Sequence, residues 1–137
     1  MKISVKRIYE PMAKSDGFRV LIDRVWPRGL SKSDAKLDLW LPDFGPSTTL
    51  RKWFNHDPAR WTEFCRRYRD ELKEREALLA TIKKQVTTRP VTLLYSAKDK
   101  RHNQAVALRS FLLTRTALHK PITRVQKKAL TIASKRK

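Results

Sequence analysis

Glycine is scarce in this chain: 137 residues contain three, Gly17, Gly29 and Gly45. Phosphate-cradling loops and dinucleotide fingerprints need two or three glycines within a few positions, so both are excluded. Cysteine is scarcer still. Cys65 stands alone, so no internal disulfide forms and nothing demands an oxidising compartment. No pair of His or Cys residues has metal-ligand spacing, and neither a metal nor another cofactor is expected. No segment approaches the roughly 20 apolar residues of a bilayer span, so no membrane partner is expected either. The opening stretch, MKISVKRIYE, is charged throughout and lacks the apolar core of a signal peptide. The expectation is a cytoplasmic protein.

What the chain has in excess is positive charge. Thirty-two Lys and Arg face 13 acids, a formal net charge of +19. Such a field draws polyanions and raises their encounter rate. The excess is uneven. Residues 114–137 carry eight bases and no acid, leaving 24 bases against 13 acids, or +11, in residues 1–113. The chain is therefore divided into one domain, residues 1–113, long enough to bury a core without staples, and a basic extension, residues 114–137. The extension fits either one short helix around residues 125–133 or a mobile tail. Lys127, Lys128, Lys135, Arg136 and Lys137 are its candidate nucleic-acid contacts.

Periodicity supplies the elements. KISVKRIY, residues 2–9, predicts a strand with one wet face. FRVLI, residues 18–22, is the near-continuous apolar run of a buried strand, and VTLLYSA, residues 91–97, is a third. Ser31-Lys32-Ser33-Asp34 fits a capping box and predicts a short helix. Ser47 or Thr48 caps a helix through LRKWF that stops near Asn55-His56. Asp57-Pro58 then opens another, with Asp as cap and Pro at the first helical position. Trp61, Phe64, Cys65, Tyr68, Leu72, Leu79, Ile82 and Val86 fall at spacings of three, four or seven, which predicts one long helix ending at TTRP. QAVALRSFLL, residues 104–113, is amphipathic with Ala105, Leu108 and Leu112 inward. The long connection between the second and third strands permits a parallel crossover. The expected fold class is α/β: one compact domain with a small, mostly parallel sheet covered by helices.

Two strands end in polar clusters. The second runs into Asp23, Arg24, Val25, Trp26, Pro27, Arg28 and Gly29. The third runs into Ser96, Lys98 and Asp99, with His102 and Asn103 at a helix start. In open α/β sheets, ligands bind beyond the carboxyl ends of the strands. If these strands are neighbours, their clusters face each other. Arg24 and Arg28 then offer forked donors to phosphate or carboxylate. Trp26 is the best candidate for stacking on a ligand, and Ser96, Lys98, Asp99 and Asn103 complete the polar wall. Asp23 and His102 are the candidate proton-handling groups. His56 is a candidate at the rim, although a polar helix end explains it as simply. The structural alternative is an ion pair between Asp23 and Arg24, Arg28 or Lys98.

Three stretches, GFRVLIDRVWPRGLSK, STTLRKWFNHDPARWTEFCRRY and VTLLYSAKDKRHNQAVAL, resemble in the same order the YeaO-like bacterial family, a domain of unknown function. The resemblance covers residues 2–113. It implies a compact cytoplasmic α/β domain and no particular reaction. The residues themselves support a cleft for an anion or phosphate, acting on a nucleotide or another phosphorylated small molecule. The alternative is a non-catalytic protein that grips nucleic acid without sequence preference through its basic surface and extension.

Overall fold

The computed structural model describes residues 2–118. Four strands form one sheet: β1 (Ile3–Arg7), β2 (Phe18–Leu21), β3 (Leu39–Trp40) and β4 (Val91–Tyr95). Their order is β1-β4-β2-β3, and every pairing is parallel. The helices are α1 (Lys32–Ala35), α2 (Thr48–Phe54), α3 (Trp61–Leu72), α4 (Glu76–Val86) and α5 (Gln104–Leu118). The expected α/β class and the small parallel sheet are both present. β4 lies between β1 and β2, with Val91 opposite both Ile3 and Phe18. The two strands that end in polar clusters are therefore neighbours. The helix expected around residues 125–133, and the bases from Lys127 to Lys137, lie outside the described residues.

The pleat divides the apolar residues between two unequal cores. Val20, Ile22, Val91, Leu93 and Tyr95 point to one face, where Phe64, Tyr68 and Leu72 of α3, Leu79, Ile82 and Val86 of α4, and Leu108 and Leu112 of α5 cover them. Leu21 and Leu94 point to the other face. There the cover is thin: Ile8, Ala35, Trp26, Leu30, Leu37 and Trp40. The segment leaving β2 thus folds back over the second face, with Trp26 as its main plug. The rings of Trp26 and Trp40 meet edge to face at 5.2 Å.

Three expectations need correction. The long helix from Pro58 is a single 3-10 turn (Pro58–Arg60) followed by two helices, α3 and α4, separated at residues 73–75. Nothing in LKERE breaks a helix. The cause is tertiary: a straight helix over residues 61–86 would be about 39 Å long, while β4 spans roughly 16 Å. A turn is needed to keep both apolar stripes on one short sheet. The last strand stops at Tyr95, two residues early, because Ser96 turns its backbone N–H to the Asp23 carboxylate, 3.1 Å away. Two-residue β3 was not foreseen, since no period exists over so short a run. Helix α5 continues past residue 113 to Leu118.

The end of the sheet opposite the polar clusters is locked by ions. Arg19 is buried and donates Nη1 to Asp16 (2.6 Å), Nε to the Lys36 carbonyl (2.9 Å) and Nη2 to the Ala35 carbonyl (2.9 Å). Lys6 bonds the same Asp16 at 3.0 Å. Gly17 begins β2 beside them. Its φ is +67°, and an added Cβ would stand 2.2 Å from the Pro90 carbonyl oxygen. Gly17→Ala is therefore expected to cost more than about 2 kcal/mol in urea unfolding. A change within 0.5 kcal/mol would show that the turn relaxes freely.

Candidate functional site

The sheet's topology opens a crevice over β2 and β4. From β2 the chain moves out towards β3, while from β4 it passes to α5, which packs on β1 and β4. The two departures diverge, which is where open α/β sheets hold ligands. A cleft of about 330 Å³ lies there, lined by residues of the 23–28 turn, by Arg51, Phe54 and His56 of α2 and its end, by Phe64, and by residues of the 96–104 segment.

Asp23 forms the polar floor and is 7% exposed. Its Oδ2 accepts the Ser96 backbone N–H and the Ser96 hydroxyl, and its Oδ1 accepts the Gln104 side-chain amide. Among the described residues no Arg or Lys bonds it, so it forms none of the ion pairs considered from the sequence with Arg24, Arg28 or Lys98. Three of about four acceptor positions on this carboxylate are filled, leaving one on Oδ1. Burial raises the Asp23 pKa above the ordinary carboxylate range; the Ser96 and Gln104 hydrogen bonds and the charge of Arg51 oppose this without cancelling it. Surrounding bonds fix the strand ends. Trp40 Nε1 donates to the Asp23 carbonyl at 2.8 Å, and Arg7 Nε donates to the carbonyls of Ser96 (3.2 Å) and Ala97 (3.0 Å).

The arginines divide in role. Arg24 is committed to its own protein: Nε and Nη2 donate to the carbonyls of Pro46 (2.9 Å) and Gly45 (2.7 Å), and Nη1 lies 3.7 Å from Asp43. It staples the 23–28 turn to the segment before α2. Gly45 lets the two segments lie close, since a Cβ there would sit 3.0 Å from the Arg24 backbone nitrogen. Arg28 and Arg51 are exposed and line the cleft; the Arg28 carbonyl accepts the Tyr9 hydroxyl at 2.6 Å, but neither guanidinium makes a hydrogen bond or ion pair among the described residues.

The opposite wall contains a carboxylate–imidazole pair. Asp99 Oδ1 accepts the backbone N–H groups of Arg101 (2.9 Å) and His102 (3.0 Å), while Oδ2 lies 2.9 Å from His102 Nδ1. These bonds hold the Asp99 pKa down to about 2. An ionised Asp99 accepts a hydrogen bond from Nδ1–H, which leaves Nε2 as the ring nitrogen not bonded to it. The His102 ring also meets Trp61 edge-on at 5.2 Å. Asn103 caps α5: Oδ1 accepts from Val106 N–H at 3.0 Å and Nδ2 donates to the Asp99 carbonyl at 2.9 Å.

Of the residues selected from sequence, Asp23, Arg24, Trp26, Arg28, His56, Ser96, His102 and Asn103 come together at one cleft. Lys98 and Asp99 lie off its lining. Trp26 touches the cleft, but its Nε1 donates to the Leu30 carbonyl at 2.6 Å and its ring packs on Trp40. His56 follows Asn55 in a left-handed pair, with φ of 53° and 48°. An L-residue held there costs roughly 1–2 kcal/mol, so this helix end reaches the rim under strain. Sequence reasoning missed Arg51 and Gln104. Arg51 stands one turn before the end of α2, within LRKWF. Gln104 is the first residue of α5 and was counted only as part of its amphipathic pattern.

The chain belongs to the family described as the inactive DUF488-N3 subclade, whose model matches residues 2–129. The match extends beyond residue 113 into the basic segment. Among individual relatives, the chain is 44% identical over 115 residues to the uncharacterized protein YeaO of Escherichia coli (strain K12), covering 82% of this chain and 97% of that protein. It is 37% identical over 111 residues to the uncharacterized protein Rv3073c of Mycobacterium tuberculosis (strain ATCC 25618 / H37Rv), covering 81% and 93%. No solved structure matches. Among the described residues, no helix is long and apolar enough to cross a membrane.

A buried carboxylate with a raised pKa opposes folding at neutral pH. The penalty grows as pH rises from the unfolded carboxylate value through the folded one, and is absent where both states are protonated. Asp23→Asn keeps an acceptor for Ser96, and the Gln104 amide can turn its oxygen to the new NH₂. The variant is expected to melt higher than the parent at pH 7, with the gain vanishing below about pH 4. Thermal melts across that range check it; a variant less stable at pH 7 would show that the charge itself holds the floor together.

Proposed function

We propose that this protein binds a small anion, a phosphorylated sugar or nucleotide, in the cleft above β2 and β4, without turning it over. The observation that carries the reading is the pair of partnerless guanidiniums, Arg28 and Arg51, at the mouth of a cleft whose floor is a buried carboxylate. Arginine forks suit phosphate oxygens. The open acceptor position on Asp23 Oδ1 suits a hydroxyl or amine of the same ligand.

Binding is favoured over catalysis on two grounds. The family description names an inactive subclade. The residues agree with it: the Ser96 hydroxyl bonds Asp23, whereas His102 bonds Asp99. No hydroxyl or thiol is paired with the imidazole among the described residues, and nucleophilic catalysis needs that pairing. In this reading Asp23 is a ligand acceptor and His102 a wall residue.

Arg51 gives the cleanest test. Its guanidinium is exposed and makes no hydrogen bond or ion pair among the described residues, and its charge only partly offsets the burial of Asp23, so its loss should change stability by less than about 1 kcal/mol. A charged hydrogen bond contributes about 1.5–3 kcal/mol, so Arg51→Ala should weaken ribose 5-phosphate binding about tenfold to a hundredfold. Isothermal titration at two salt concentrations measures this. Equal affinity in parent and variant would remove the cleft as the site, and no binding by the parent would remove the small phosphorylated ligand. Arg24→Ala is a poorer probe, because it also releases the loop stapled to Gly45 and Pro46.

A further inference from the structure

We propose that the cleft receives the phosphorylated end of a single-stranded nucleic acid, the terminal unit sitting between Arg28 and Arg51 and the following phosphates passing over Lys98 and Arg101. The proposal rests on the anion-binding reading above and names its ligand. Its starting observation is the set of bases that the cleft itself does not use. Lys98 and Arg101 are exposed in the loop between β4 and α5, off the cleft lining, and Lys52 is exposed next to Arg51 on α2. None of the three side chains has an acidic partner among the described residues.

Acids around this loop are already engaged, Glu10 with Lys100 at 4.0 Å. Asp99 is bound to His102 and to two backbone N–H groups, and Asp23 is buried on the floor. Basic residues elsewhere can be locally balanced. On α3, Arg66 and Arg67 share Glu63, and Arg66 and Lys73 face Asp70. The carboxyl end of the sheet thus keeps unneutralised positive charge that a monophosphate cannot occupy. A chain of phosphates can.

Size limits the ligand to a strand end. A cleft of about 330 Å³ has room for one sugar-phosphate unit and excludes a duplex. A single strand leaving it meets the loop bases, and each phosphate neutralised releases counterions. The protein's net charge of +19 speeds capture of such a polyanion.

The test uses the full chain and one short single-stranded oligonucleotide in two forms, linear with a 5′-phosphate and covalently circularised. The basic extension and the outer surface meet both forms alike; the cleft can take only an end. Fluorescence anisotropy should show the linear form binding about tenfold tighter, an advantage lost in Arg51→Ala. Lys98→Gln/Arg101→Gln should lower the slope of log affinity against log salt by about 1.4 for the linear strand and leave ribose 5-phosphate binding unchanged. Equal affinity for line and circle overturns the proposal, as does an unchanged salt slope in the double variant. If ribose 5-phosphate fails to bind while the linear strand still outcompetes the circle, the small-ligand reading fails and the strand-end proposal stands.

Discussion

The Asp23 carboxylate ties the working end of this protein together. It sits two residues beyond β2 and gathers a backbone N–H and a hydroxyl from the end of β4, plus the side-chain amide that opens α5. Three elements distant in sequence are thereby fixed at one point. β4 stops where it does because Ser96 turns to this carboxylate, and the cleft has a floor because the carboxylate is held flat against the strand ends. The same burial raises the Asp23 pKa, so the arrangement works against stability at neutral pH. A carboxylate buried at such a cost on the floor of a crevice supports the binding function proposed above.

The two ends of the sheet handle charge in opposite ways. Around Asp16 the charges answer one another: Arg19 bonds one carboxylate and two carbonyls, and Lys6 bonds the same carboxylate. This end is scaffold. At the carboxyl end, Arg24 and Arg7 are similarly stapled to backbone carbonyls, while the guanidinium groups of Arg28 and Arg51 bond no described residue. The contrast within one small sheet separates positive charge that holds the fold from the positive charge to which the proposal assigns a ligand.

The sequence made much of this legible, and the gaps have physical causes. Buried parallel strands announce themselves as apolar runs, so FRVLI and VTLLY were readable, and the polar residues after them located the cleft. The separation of α3 from α4 left no trace, because LKERE favours helix and only the length of the sheet forces the turn. Trp26 was placed among ligand contacts, yet its ring closes the thin second core, a layer with no periodic signature of its own. The roles of Arg24 and Arg28 were indistinguishable in sequence. What separates them is the approach of the Gly45-Pro46 carbonyls, which come from twenty residues away. Arg51 was overlooked because it reaches the cleft from a helix whose pattern speaks only of packing.

The central claim is that anions bind between the 23–28 turn and α2, above Asp23. The most direct measurement is an NMR titration with inorganic phosphate and ribose 5-phosphate, following backbone amides, the Gln104 side-chain amide and the arginine Nε–H groups. The account predicts saturable shifts confined to residues 23–28, the end of α2 around Arg51, and residues 96–104, with the Gln104 amide responding to ribose 5-phosphate more than to phosphate alone. Shifts spread over the outer faces of α3 and α4 while the cleft stays silent would contradict it.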